Sequence, residues 1–465
     1  MLTLMGGFLL LMVLGVPVAF AMAGASLLYV MTASTVPDFV VVHRMISGVD
    51  SFPLLAVPFF ILAGNLMNIA GITRRIYNFA VALVGWMKGG LGHVNIVGSV
   101  IFSGMSGTAI ADAAGLGTIE IKAMTDHGYP KEFSVGVTAA SATLGPIIPP
   151  SLPFVIYGMM ANVSIGALFI GGILPGLVMT AVMMLTVAYI AHRNGWGSDV
   201  KFSGRQLLLA TIEILVVLAF PFAVWAMTLA GLSANWAALV ALVILLALDW
   251  YFDFSAVMAL MAPVLLIGGM TMGWFTPTEA AVAAVLWALF LGLVRYRTMT
   301  LKLLAKATFD TIETTASVLF IVASASIFAW LLTVTQTAEF LTEAILGFTT
   351  NKWVFLLLAN LLMLFVGCFL DTIAAITILV PILMPIVLKL GIDPVHFGLI
   401  MTLNLMIGLL HPPLGMVLFV LARIANLSVE RTTMAILPWL VPLFLSLILI
   451  TYVPEITTWL PDVLK

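Results

Sequence analysis

Phe102-Ser-Gly-Met-Ser-Gly-Thr108 and Gly145-Pro-Ile-Ile-Pro-Pro-Ser151 decide how this chain folds, because both stretches recur. Their counterparts are Phe365-Val-Gly-Cys-Phe-Leu-Asp-Thr372 and Gly408-Leu-Leu-His-Pro-Pro-Leu414. Positions 102/365, 104/367, 128/391, 145/408, 149/412 and 150/413 are each 263 residues apart, and Ile110/Ile373 and Ala111/Ala374 keep the offset. A frame of three glycines and two prolines thus holds without a gap from Gly104 to Pro150, 46 residues apart. Both copies lie in apolar sequence. A helix breaker there leaves backbone groups without partners in a medium that has no water. Paired, interrupted apolar segments at matching places in two halves point to a transporter's binding site.

The chain is 63% hydrophobic and 8% charged, with a mean hydropathy of +1.22. Soluble domains carry about 25% charged residues. Most apolar runs reach the roughly 20 residues that cross a bilayer, so the sequence predicts an all-α polytopic membrane protein. A net charge of −2 and no basic patch give no sign of nucleic acid. The single cysteine, Cys368, excludes an internal disulfide and a cysteine metal cluster. Residues 1–31 are apolar but show neither a charged leader nor a cleavage site, so no cleaved signal is expected. No stretch is long and polar enough for an ATPase domain, and no phosphate loop is present.

Basic residues orient the chain. His192–Arg205 and Arg295–Lys306 are predicted to be cytoplasmic. Apolar runs near 209–231, 234–251, 255–272 and 278–295 lie between them, an even number of crossings. In the first half, Pro58-Phe-Phe-Ile-Leu-Ala-Gly-Asn65 leads into Thr73-Arg-Arg75, a cytoplasmic signature. In the second, the matching element ends at Thr335–Glu343, which has no basic residue. The same element therefore ends on opposite sides, and the repeats are inverted.

Each half reads alike. A span begins at Pro17 or Pro277, a second span follows, and then a short interfacial arm helix (Ile76–Lys88; Ala338–Phe348). Next come a re-entrant hairpin (92–126; 353–389), a broken span (133–162; 397–425) and a closing span. The divisions are 1–192 for the first repeat, 193–275 for connecting scaffold helices and 276–465 for the second repeat.

The breaks have ligand chemistry. Glycine allows close backbone approach, and the prolines free carbonyls from their helical partners. Carbonyl and hydroxyl oxygens converging at a break suit a hard cation such as sodium. Free N–H groups opening the next half-helix suit an anion. The competing reading is a pair of packing kinks.

The order of Gly15-Val-Pro-Val-Ala-Phe-Ala21, Ser106-Gly-Thr-Ala-Ile-Ala-Asp112, His127-Gly-Tyr-Pro-Lys-Glu-Phe133, Gly145–Ser151, Phe275-Thr-Pro-Thr-Glu-Ala-Ala281 and Pro412-Pro-Leu-Gly415 spans nearly the whole chain. It resembles the large membrane subunit of tripartite ATP-independent periplasmic (TRAP) transporters, the family of C4-dicarboxylate and sialic acid carriers. The resemblance implies an elevator-type carrier and sodium-driven uptake of an organic anion without ATP. It implies residence in the bacterial inner membrane. It also implies two partners, a small four-helix membrane subunit and a soluble periplasmic substrate-binding protein. His411 departs from the small hydroxyl residue expected there, and a histidine titrates.

The resemblance places two or more sodium ions. One is expected between Ser103, Ser106 and the break at Gly145, Ile148 and Pro150. The other is expected near Val366, Gly367, Gly408, His411 and Pro413, with Thr372 adding a hydroxyl. The substrate carboxylate is expected at Ser106, Gly107 and Thr108, at Asp371 and Thr372, and at Ser151. Asn65 and Ser326 are expected either to line the cavity or to pack helices. Asp112 and Asp371 are either functional acids or helix caps, and Glu279 is expected to cap.

Three other classes compete. A stand-alone sodium–dicarboxylate or citrate-type symporter would share the inverted repeats but need no binding protein. An ion channel would also use broken helices, but paired occluding hairpins suit alternating access. An intramembrane enzyme has no zinc motif to support it.

Overall fold

A computed structural model describes residues 2–33, 36–252, 254, 256–271, 274–412 and 415–464. Among them the chain is helical throughout, apart from one isolated bridge between Lys88 and Ser198. The first repeat comprises α1 (Leu2–Val13), α2 (Val18–Ala33), α3 (Phe39–Val49), α4 (Ala56–Ile69), the arm α5 (Ile72–Val84), a hairpin of α6 (Gly90–Ser106), α7 (Ala109–Ala114) and α8 (Leu116–Asp126), a broken span of α9 (Lys131–Ala142) and α10 (Leu152–Ala161), and the closing α11 (Ile165–Arg193). Connecting helices follow: α12 (Gly204–Leu229), α13 (Ala234–Phe252) and α14 (Val257–Thr271). The second repeat comprises α15 (Pro277–Phe290), α16 (Leu301–Val334), the arm α17 (Thr337–Phe348), a hairpin of α18 (Lys352–Gly367) and α19 (Thr372–Lys389), a broken span of α20 (Pro394–Gly408) and α21 (Met416–Ala425), the closing α22 (Val429–Tyr452) and α23 (Glu455–Val463).

Counting α2, the α3–α4 pair, the α9–α10 pair, α11, α12, α13 and α14 as crossings gives an odd number before α15. The second repeat therefore starts on the opposite side from the first, as the inverted reading requires. Among the described residues, seven helices are long and apolar enough to cross a membrane. By length alone α19 is one of them, yet its first residues lie at a central cavity, which fits a hairpin arm better than a full span.

Local sequence explains the boundaries. Pro277 opens α15 behind a capping box: Thr276 Oγ1 accepts from Glu279 N, and Glu279 Oε2 accepts from Thr276 N at 2.7 Å. Glu279 is thus a cap, as expected. Gly128 and Gly391, which share the 263 offset, both have positive φ (+85° and +64°) in the turns leading to the broken spans.

Two details differ from the sequence reading. The second span of the first repeat is interrupted. Asp50 leaves helical geometry, Ser51 is extended, and Pro53 seeds a 3-10 turn over Phe52–Leu55 before α4. Its counterpart α16 runs unbroken for 34 residues. The first arm also starts earlier, because Gly71 turns the chain at φ +73° and α5 begins at once. Arg74 and Arg75 therefore sit in its first turn, not in a loop, and Arg75 stacks on the Tyr296 ring at 3.7 Å.

Packing exchanges the two halves. α4 packs on α15, and α2 on α16. The hairpin arm α19 packs on the post-break helix α10, and α7 packs on α21. The closing helix α22 packs on α9, and α11 on α20. Each repeat thus completes the other.

Candidate functional site

At the first hairpin tip, Gly107 takes φ +63° and Thr108 is extended. Thr108 Oγ1 then caps α7 by accepting from Ala111 N at 3.2 Å. The first break folds against this tip. Leu152 N donates to the Gly107 carbonyl at 3.4 Å. A Cβ at Gly107 would stand 2.9 Å from the Pro150 oxygen, and one at Gly145 would stand 3.1 Å from the Thr108 oxygen. The sequence-predicted Gly145, Pro150, Gly107 and Thr108 therefore meet, with main-chain carbonyls among the converging atoms. The Pro149–Pro150 peptide is cis.

Ser103 lies one turn before the tip, buried, with Oγ donating to the Ser99 carbonyl at 2.5 Å. The Ser106 side chain lies outside the described residues. Ile148 packs its side chain against Gly176. Ser151 is fully buried, donates to Pro146 O at 2.5 Å and caps α10 through Phe154 N. This alters the expectation of an anion at the half-helix after the break. Leu152 N and Phe154 N already donate within the protein, and Pro153 has no N–H.

In the second repeat, Gly367 and Gly408 touch through their backbones, beside Val366 at the end of α18. Asp371 caps α19 by accepting from Ile373 N at 3.1 Å. Thr372 Oγ1 is buried and has no partner. His411 is partly buried, with Nδ1 3.2 Å from the Ile407 carbonyl. Pro413 lies outside the described residues.

Both tips face one cavity of about 790 Å³. Thr108–Ala111 of the first hairpin and Asp371–Ile373 of the second line it. So do Asn65 and Asn68 of α4, Thr73 of α5, and Thr314 and Ser317 of α16. The Asn65 Nδ2 also donates to Thr311 Oγ1 at 2.9 Å and ties α4 to α16. Ser326 is not among the lining residues; it packs against Gly48, where a Cβ would stand 2.3 Å from the serine Cβ. Asn68, Thr73, Thr314 and Ser317 were not singled out in the sequence. A signal was available on α4, where Asn65 and Asn68 are a polar pair three residues apart on one face of an otherwise apolar helix.

Polar pins hold each hairpin to its own broken span. Asn95 on α6 donates to Glu120 Oε2 at 2.7 Å and to Thr138 Oγ1 at 2.8 Å, and accepts from Ser141 Oγ at 2.7 Å. In the second repeat, Asn404 Nδ2 donates to Asn360 Oδ1 at 2.6 Å. Ser141 and Asn404 share the 263 offset, so the pin occurs at equivalent depth in both repeats.

The sequence profile of the family described as the tripartite ATP-independent periplasmic transporter, DctM component, matches residues 5–456. The chain belongs to this family. It is 42% identical to the sialic acid TRAP transporter large permease protein SiaM of Vibrio cholerae, over 98% of this chain and 97% of that one. It is 38% identical to the sialic acid TRAP transporter permease protein SiaT of Haemophilus influenzae, over 98% of this chain and 67% of that one. It is 31% identical to the C4-dicarboxylate TRAP transporter large permease protein DctM of Rhodobacter capsulatus, over 100% and 99%. Among solved structures, the YdaH transporter of Alcanivorax borkumensis shares the fold, with a TM-score of 0.60, 15% identity and coverage of 91% of this chain and 88% of that one. This TRAP large permease is a multi-pass protein of the bacterial inner membrane.

Proposed function

We propose that this TRAP permease carries an organic acid anion, of the sialic acid or C4-dicarboxylate kind, inward on a sodium gradient by an elevator movement. The observation that carries the reading is the shared cavity, where both hairpin tips meet the scaffold helices α4 and α16. Its volume falls within the roughly 300–1,000 Å³ of small-molecule sites. The amides of Asn65 and Asn68 and the Thr108 hydroxyl offer neutral donors, and the oxygens of Thr73, Thr314 and Ser317, whose protons go to Asn68 Oδ1 and to the Asp310 and Glu313 carbonyls, add acceptors, which suits a hydroxylated sugar acid. Identity to the sialic acid permeases supports the same substrate class.

Among the described residues that line the cavity there is no Arg or Lys, while Asp371 adds a carboxylate. An anion entering beside Asp371 needs a cation nearby. The carbonyls of Thr108 and Pro150, and the unpartnered Thr372 hydroxyl, are the oxygen ligands offered for sodium. A tenfold sodium gradient supplies about 1.4 kcal/mol per ion, and each net charge about 2.3 kcal/mol per 100 mV. Two sodium ions with a monoanion then supply roughly 5 kcal/mol, on the order of several-thousandfold accumulation. Neither term needs ATP.

A small four-helix membrane subunit and a soluble periplasmic binding protein complete the system on this reading. The outward apolar surfaces of α12 and α13, with Phe222, Trp225, Trp236 and Trp250 exposed, leave room for a membrane partner. The test is reconstitution with imposed gradients: the chain alone, then with the small subunit, then with loaded binding protein outside. Uptake is expected only from the complete set and only with sodium. Full-rate uptake by the chain alone would replace this reading with a stand-alone symporter. Equal uptake with choline in place of sodium would remove the coupling.

A further inference from the structure

The transport cavity is not evenly polar. The broken spans give it Leu152, Pro153, Met406 and Leu409, while α4 and α16 give it two amides and two hydroxyls. On α4 the cavity face is the i, i+3, i+4, i+7 row of Ile61, Gly64, Asn65 and Asn68. Residues three apart on one face stand about 5–6 Å from each other at Cβ, so the two amides are neighbours.

A threonine outside the row fixes the orientation of each amide. Thr311 Oγ1 gives its own proton to the Ala307 carbonyl at 2.7 Å, so towards Asn65 it accepts, and Asn65 Nδ2 is the atom that donates. Asn65 Oδ1 is then the free end of that amide, and among the described residues nothing donates to it. Thr73 Oγ1 donates to Asn68 Oδ1 at 3.0 Å, which makes the Asn68 NH2 the free end of the other. Neither free end is shut away inside the protein. Opposite Asn68 is Gly115, at the corner between α7 and α8. A Cβ there would stand 2.8 Å from Asn68 Oδ1 and 3.2 Å from Nδ2, so the missing side chain leaves the amide uncovered.

The row thus presents one acceptor and one donor side by side, both neutral. A carboxylate has only acceptors and satisfies the donor alone. A hydroxyl satisfies both at once, giving its proton to Asn65 Oδ1 and accepting from Asn68 Nδ2. We propose that Asn65 and Asn68 form a hydroxyl-reading subsite that makes this permease selective for polyhydroxylated acids over plain C4-dicarboxylates. The proposal rests on the reading of this cavity as the transport site. It puts the selecting residues on the scaffold helix α4 and not on the hairpins.

The test is calorimetric binding of sialic acid, its monodeoxy analogues and succinate to the purified chain in lipid nanodiscs with sodium, where the selectivity of a binding protein plays no part. Succinate and one monodeoxy analogue are each expected to bind about tenfold or more weakly than sialic acid. In Asn68→Leu, sialic acid itself should weaken by about the same factor, and that analogue should lose nothing further. Thr73→Val keeps the shape but frees the Asn68 amide to turn over. It should lower the same ratio of sialic acid to analogue affinity, and it carries the test if Asn68→Leu fails to fold. Monodeoxy analogues that all bind like sialic acid would overturn the proposal and leave the cavity reading standing. So would succinate binding as tightly as sialic acid, or a deoxy loss that persists undiminished in the variants. Binding of none of these acids would overturn the cavity reading itself, and the proposal with it.

Discussion

Gly367 and Gly408 meet backbone to backbone: a Cβ on Gly408 would stand 2.7 Å from Gly367 Cα and 2.8 Å from its carbonyl carbon. The end of α18 and the end of α20 can approach this closely only because neither residue has a side chain. Main-chain atoms cannot swing aside. Gly408→Val is therefore expected to push the second hairpin off its break, with a penalty of about 1–3 kcal/mol or more. Uptake by the reconstituted system should be nearly abolished. Gly347→Ala on α17, where a Cβ meets nothing within 4 Å, is the control and should leave uptake and melting temperature unchanged. Wild-type sodium affinity in Gly408→Val would remove this contact from the mechanism.

Thr372 separates binding from stability. Its hydroxyl is buried without a partner, so Thr372→Val removes a group that nothing in the protein satisfies. Replacing an unsatisfied buried hydroxyl by an isosteric methyl is neutral or stabilising. The variant is expected to melt at or above the wild-type temperature while the sodium requirement for uptake rises several-fold. Unchanged sodium dependence would reduce Thr372 to a packing residue.

Asn95 makes three buried hydrogen bonds at once. Asn95→Ala strands Glu120 Oε2 and takes one bond each from Thr138 and Ser141, which keep the Ser134 and Thr138 carbonyls, and is expected to destabilise the protein by about 2–3 kcal/mol. A double-mutant cycle with Ser141→Ala should show coupling of about 0.5–3 kcal/mol, read from unfolding or from detergent-resistant melting. Additive single effects would show that the pin does not act as a unit.

Thr276→Ala removes the cap that starts the second repeat. The expected loss is about 1 kcal/mol of stability, with uptake retained once expression is matched. The capping box is distant from the hairpin tips in the chain and serves the scaffold. A specific loss of transport at normal stability would count against that assignment.

Helix breakers act locally, so their effects were legible in the sequence. Gly145 and Pro149–Pro150 place the first break between α9 and α10, and Gly408 and Pro412 place the second. The capping role of Glu279 was legible for the same reason. Less legible was anything set by contacts between distant residues. Asn65 meets Thr311, 246 residues away, and no local pattern specifies that bond. Ser326 and Thr314 share α16, yet only Thr314 reaches the cavity. α16 carries Thr308, Thr311, Thr314, Thr315, Ser317, Ser324 and Ser326 around its circumference, so polarity alone does not reveal which face turns inward. Pro53 read as part of an ordinary span, because a single proline is compatible with a helix start, a kink or a break.

The exchanged packing of the hairpin arms sets a schedule for biogenesis. α7 leaves the ribosome about 300 residues before its packing partner α21. At roughly 5–20 residues per second, the first hairpin waits on the order of tens of seconds. Through that interval its glycines, hydroxyls and buried acids lack the helix that will cover them. The half-made chain must shelter a polar loop in the bilayer or postpone its insertion. The translocation machinery therefore has to handle a segment that is not yet fit for lipid, and a truncated first half should be a target for membrane proteases.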